Sequence, residues 1–146
     1  MYKRQGAVTG LNAYVILSTQ GTFEGFSLQY ILGQIFRFFA FAIGINWNES
    51  LLVGSLLGQK FVINEFVGYL SLAEMKASGA LSERAIMIST YALCGFANLS
   101  SIGIQIGGIG VMAPERRGDL SLLGFRALIG ASLATLMTAA IAGAIF

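Results

Sequence analysis

The chain has 146 residues, 55% of them hydrophobic and only 11% charged, with a mean hydropathy of +0.74 and a net charge of +2. A soluble domain is about 45–50% apolar and about 25% charged, so the composition excludes a water-soluble globule and places the chain in a membrane. Histidine is absent and Cys94 is the one cysteine, which removes histidine acid–base chemistry, histidine-dependent triads, intrachain disulfides and nearly all zinc sites, while the weak, scattered charge excludes nucleic acid as a partner.

In chain order, residues 1–5 are polar and lack the charged, apolar and small-residue regions of a signal peptide. They read as a non-native leader and are set aside from the fold. Residues 6–25 are mildly apolar and end in a polar, glycine-containing loop. They read as the end of a preceding helix, and the chain as the C-terminal part of a longer protein.

The stretch 26–45 has the roughly 20 apolar residues of a transmembrane helix, with Arg37 its only charge. Arg37 either snorkels to the interface or faces a protein interior. Asn46, Asn48, Glu49 and Ser50 then form a helix start, with Asn or Ser as the cap and Glu49 in the first turn. Two apolar runs, 51–57 and 61–72, flank the polar Gly58, Gln59 and Lys60. Each run is about half of what crosses the hydrocarbon. Residues 48–73 are therefore predicted to form a re-entrant helical hairpin that turns at 58–60 near mid-membrane. Such a tip is tolerated only where protein or a water-filled cavity surrounds it.

Ser82 and Glu83 suit the start of the next helix. The apolar stretch 83–112 is interrupted by the string CGFANLSS at 94–101, which predicts a broken helix with Ser100 or Ser101 capping its second half. Free backbone N–H groups there make an electropositive end suited to a polar substrate. The connection 113–119 carries Arg116 and Arg117 and is assigned to the cytoplasm. A last span, 120–146, has Arg126 near its cytoplasmic start and carries the C-terminus to the extracytoplasmic side. The fold class is thus an all-α, multi-pass membrane protein with a re-entrant hairpin and a discontinuous helix, half of an inverted-repeat transporter.

Small residues recur four apart at Gly54 and Gly58, Gly103 and Gly107, Gly130 and Ala134, and Ala139 and Gly143, a spacing that lets helices approach closely in lipid. The glycines at 107–110 follow no strand, and 54–60 lacks the P-loop spacing, so neither is a nucleotide loop.

Among polar residues Glu65 is the sharpest candidate. A carboxylate inside a membrane is expensive and is a functional-site candidate by default; the plain alternative is an ion pair with Lys60 or Arg37. Asn64 beside it can simply bridge helices, as can Asn98, Ser100 and Ser101, though the last three coincide with the predicted break. Phe96 is a ligand-stacking ring only if the break exposes it. Acceptors on one discontinuous element facing donors on another are the pattern of a secondary-transporter site, and a hydroxyl-rich, uncharged solute suits it.

The strings GQK at 58–60, NEFVGY at 64–69 and TYALCGFANLSSIGIQIGG at 90–108, supported by FSLQYILG at 26–33 and APERRGD at 113–119, resemble the C-terminal half of the concentrative nucleoside transporter family. The resemblance covers residues 25–146. It implies a homotrimeric, Na⁺- or H⁺-coupled nucleoside importer whose transport domain moves as an elevator, and not an enzyme. It implies ribose contacts from Glu65, nucleoside contacts from Asn98 and Ser101, and a pocket lined by Phe96 and Leu70. Asn64 and Gln59, inside the same strings, complete the candidate set. No cofactor or metal site is expected in this chain. The first hairpin and its partner helix, which in the family supply nucleobase contacts and the coupling-ion site, belong to a missing N-terminal half. Gly68 stands where the family usually has Ala. Two other readings compete: a module for assembly or for transport of another polar solute, and a membrane enzyme using Glu65 as base. The enzyme would need a second titratable partner that no residue supplies.

Overall fold

The structure, a computed structural model, describes residues 12–17 and 27–146. The expected leader and most of the expected preceding helix lie outside the described residues; 12–17 is helical. The remainder is α1 (Leu28–Ala42), α2 (Ser50–Val62), α3 (Glu65–Ala77), α4 (Glu83–Leu93), α5 (Leu99–Met112), a short 3₁₀ turn at Pro114–Arg116, and α6 (Arg117–Ile145). No strand occurs among the described residues.

Local chemistry sets most boundaries. Ser27 caps α1 by accepting from the Tyr30 N–H, and Ser82 caps α4 by accepting from Ala85 N–H, as its sequence suggests. Helix α1 stops where Gly44 takes φ +98°: the Gly44 N–H bonds Phe41 O and the Ile45 N–H bonds Ala40 O. Gly79, at φ +68°, ends α3 in the same way, through Gly79 N–H to Lys76 O and Ala80 N–H to Met75 O. The expected first span is consequently a 15-residue helix, about 22 Å long. Among the described residues one helical stretch, Pro114–Ile145, is by itself long and apolar enough to cross a membrane.

The expected cap at 46–50 differs. Glu49 occupies the N-cap position of α2 without a side-chain cap bond. Its carboxylate instead accepts from the Ser82 backbone N–H and, at 3.1 Å, from the Ser82 hydroxyl. That contact ties the foot of α2 to the start of α4. Arg37 reaches toward the loop before α2. Its guanidinium donates to the Ser50 hydroxyl (3.0 Å) and the Trp47 carbonyl (3.2 Å), and lies 3.9 Å over the Trp47 ring.

Helices α1 and α2 share the most extensive interface, and glycine makes it possible. A methyl group at Gly54 would lie 2.6 Å from the Gly33 carbonyl oxygen and 2.8 Å from the Arg37 nitrogen, so only hydrogen fits. Around this pair the core gathers Val53, Leu56 and Leu57 of α2, Leu72 of α3, Ile88 and Leu93 of α4 and Ala139 of α6. Gly143 packs against Ile88, as the spacing suggests, whereas added methyls at Gly103, Gly107 and Gly130 would meet nothing within 4 Å among the described residues.

The hairpin feet, the start of α4 and the end of α6 lie on one side, joined by Glu49 to Ser82 and by Arg84 to the Gly143 carbonyl. The connection between α5 and α6, where Arg117 Nε donates to Gly110 O at 3.1 Å, is at the far end of α5.

Candidate functional site

The hairpin turns at Ile63 and Asn64, not at Gly58–Lys60. Helix α2 runs unbroken through those three residues and ends at Val62; Asn64 Oδ1 then caps α3 by accepting from Val67 N–H at 3.0 Å. The three polar residues face into protein. Gly58 abuts Leu32, Gln59 Oε1 accepts from the Ser71 hydroxyl at 2.7 Å, and Lys60 Nζ donates to Ala92 O at 2.8 Å.

The break in the second element lies at 94–98. Cys94 adopts φ −73° and ψ 68°, and the Gly95 N–H reaches back to Leu93 O at 2.8 Å, an inverse γ-turn that ends α4. Asn98, rather than Ser100 or Ser101, caps α5, accepting from the Ser101 N–H at 2.8 Å. Asn caps as well as Ser, and its use here frees both hydroxyls for other bonds.

Four half-helix ends therefore converge: the C-terminal ends of α2 and α4, and the N-terminal ends of α3 and α5. The two N-terminal ends carry the candidate site. Fully buried Asn98 donates from Nδ2 to Glu65 Oε2 at 3.0 Å, while its Oδ1 also accepts from the Ser101 hydroxyl at 2.7 Å. Ser100 Oγ lies 2.7 Å from Asn98 Oδ1 and 2.9 Å from Ile63 O. Its single proton serves one acceptor at a time. Both caps lie at electropositive helix ends, where a carboxylate is favoured. Glu65 makes no ion pair with Lys60 or Arg37; among the described residues the one ion pair is Arg116 with Asp119. A carboxylate oriented by an amide, with Oε1 not engaged among the described residues, is a ready acceptor for hydroxyl groups.

Phe96 is 62% exposed, so the break does present its ring. With Asn98, Ser101 and Gln105 it also lines a cavity of about 80 Å³ against α6. Leu70 is 53% exposed and sits five residues beyond Glu65, about 140° away around α3. The structure thus joins Glu65, Asn98 and Ser101 directly and puts Asn64 beside them as a cap. Gln59 is placed inside the hairpin, and Leu70 on a different face. Gln105, which lines the same cavity, was not among the sequence candidates, and Lys60 entered there only as a partner for Glu65. The i+4 spacing of Gln105 from Ser101 was an available signal.

A helical hairpin and an interrupted helix meeting through polar ends, inside an apolar helical array, define a membrane-transporter fold. Comparison with known proteins gives the family. Residues 6–143 match the family model described as Na⁺ dependent nucleoside transporter C-terminus, and the chain belongs to that family. It is 47% identical over 120 residues to the uncharacterized transporter YutK of Bacillus subtilis, covering 82% of this chain and 29% of that protein. It is 41% identical over 136 residues to sodium/nucleoside cotransporter 1 of Rattus norvegicus, covering 84% of this chain and 21% of that protein. Among solved structures, CNTnw in an inward-facing substrate-bound state superposes with a TM-score of 0.76 at 41% identity, over 97% of this chain and 34% of that one. The chain spans about a third or less of the length of these relatives. Its relatives are transporters, which sets aside the reading as an enzyme.

Proposed function

We propose that this segment supplies the sugar-binding part of an ion-coupled nucleoside importer, acting with a preceding part of the same, longer chain. The observation that carries the reading is the 3.0 Å contact between Asn98 Nδ2 and Glu65 Oε2, made where the hairpin tip meets the helix break. Asn98 holds one carboxylate oxygen, and the other accepts from ribose hydroxyls. Ser101 orients Asn98, and the exposed Phe96 ring offers an apolar face beside it. Two 13-residue helices, each about 20 Å long, fit a hairpin that enters the bilayer and returns to the same side.

Sodium is the coupling ion supported by the family description and by the name of the rat relative, with a proton as the alternative. Its site is assigned mainly to the preceding part of the chain. A homotrimer in the cytoplasmic membrane follows from the family resemblance. The Arg116–Arg117 connection is assigned to the cytoplasm and the C-terminus to the outside.

The test is uptake of labelled uridine by cells expressing the full-length transporter, with and without a sodium gradient, beside Glu65→Gln. Gradient-dependent uptake that the variant loses, at unchanged abundance in the membrane, is the expected result. Retained uptake in the variant would refute the role of Glu65. No nucleoside uptake by the wild type would reopen the solute.

A further inference from the structure

Lys60 stands out among the residues that the proposed site does not use. It is 5% exposed, within an apolar helical array, and no carboxylate lies within 4.0 Å of its ammonium among the described residues. A buried cation without a contact partner is costly, and beyond the longer-range attraction of Glu65 something must compensate it at hydrogen-bond distance. Its position shows what does. Lys60 lies in the last turn of α2, and its Nζ reaches Ala92 O in the last turn of α4. Both are C-terminal helix ends, each carrying about half a negative charge on carbonyls without intrahelical partners. The surroundings are fitted to the ammonium: a methyl at Gly95 would lie 3.4 Å from Nζ and 2.6 Å from Thr135 Oγ1. Beside it is a cavity of about 30 Å³, lined in part by Lys60, Ala97 and Ser132, whose hydroxyl has no partner among the described residues.

The convergence of half-helices is thus sorted by charge. Two electropositive ends surround Glu65 and Asn98, and two electronegative ends surround Lys60. We propose that Lys60 is a built-in cation that neutralises the converging carbonyl ends of α2 and α4. Through its bond to Ala92 it locks the hairpin and the broken helix in one register. It fills the role that a bound metal ion would otherwise serve at such a junction. Lys60 is a positioning residue: it acts on the solute only through Glu65 and Asn98, whose 3.0 Å contact depends on the same register. This inference rests on the reading of those residues as a nucleoside site, but its test does not depend on uptake alone.

Three variants of the full-length transporter separate charge from packing. Lys60→Met keeps the aliphatic stem, Lys60→Arg keeps the charge, and Lys60→Ala leaves space for a small cation. Expected are a loss of nucleoside affinity in Lys60→Met of roughly tenfold or more, the size for buried acceptors left unsatisfied, and a smaller loss in Lys60→Arg. Purified Lys60→Ala is expected to melt at a higher temperature, and to bind nucleoside more tightly, in ethylammonium chloride than in choline chloride, a difference the wild type does not show. Wild-type affinity in Lys60→Met, or indifference of Lys60→Ala to ethylammonium in both readouts, would overturn the proposal. If Lys60→Ala cannot be isolated folded, the order of Lys60→Arg over Lys60→Met decides, and an equal or reversed order counts against it. A wild type that binds no nucleoside would refute the proposed function, and the melting comparison would still judge Lys60.

Discussion

Asn98 joins two tasks in one amide: its oxygen caps α5, and its nitrogen holds Glu65. Substitutions can separate them. Asn98→Ala removes both, and is expected to cost about 1 kcal/mol for the cap and a further 1–3 kcal/mol for polar groups left unsatisfied. Asn98→Asp keeps a capping oxygen but turns the donor into a second carboxylate facing Glu65. It is expected to lose nucleoside binding as completely as Asn98→Ala and, because the new, buried carboxylate then faces that of Glu65, to gain no stability from the retained cap. Thermal melting and nucleoside titration of the full-length transporter check the pair, and equal binding by wild type and Asn98→Asp would show that the donated hydrogen bond is dispensable. Glu65 was singled out in the sequence because an acid in an apolar run demands a reason, and the structure sets it against Asn98. The cap was assigned to serine because Asn98 and the two serines are interchangeable by type. Only the buried geometry shows that the amide does the capping.

At the scale of elements, the hairpin was legible and its turn was not. Gly58, Gln59 and Lys60 look like a polar interruption. Each is instead taken up by a neighbour: Leu32 against Gly58, Ser71 on Gln59, and Ala92 on Lys60. A polar residue in a membrane segment marks a turn only if no other element satisfies it, and that depends on tertiary contacts. The true turn had its own signal in Asn64 followed by Glu65, a cap and a first-turn acid. Glycine spacing was informative at Gly54, where backbone atoms of α1 leave no room for a side chain. Gly54→Val is accordingly expected to drive α1 from α2 and to lower the melting temperature of the full-length protein sharply. Unchanged melting would contradict the packing of that pair. At Gly68 the obstacle is softer. A methyl there would lie 2.9 Å from Leu93 Cδ2, at the end of a flexible side chain, so Gly68→Ala is expected to leave uptake near wild type.

Across the whole molecule, the order of elements places the hairpin feet and the C-terminal end of α6 on one side, with the Arg116–Arg117 connection on the other. Charge and hydropathy order read this arrangement from the sequence, because both survive without knowledge of packing. The first span was overestimated for a related reason. Apolar composition continues past Ala42, but Gly44 turns the chain before the helix reaches its expected length. With Cys94 replaced by Ser, a cysteine added after Phe146 is expected to react with an impermeant maleimide on intact cells, and a cysteine at Gly118 only after permeabilisation. The opposite pattern would invert the orientation and place the hairpin feet in the cytoplasm.

The central claim, that Glu65 accepts from the hydroxyls of a nucleoside sugar, is tested most directly by the affinities of full-length wild type and Glu65→Gln for uridine and for 2′,3′-dideoxyuridine. Removing the hydroxyls is expected to weaken binding to the wild type by roughly tenfold or more, and to change binding to the variant much less, because the two deletions remove the same interaction. Equal penalties in the two proteins would contradict the claim and place the sugar away from the hairpin tip.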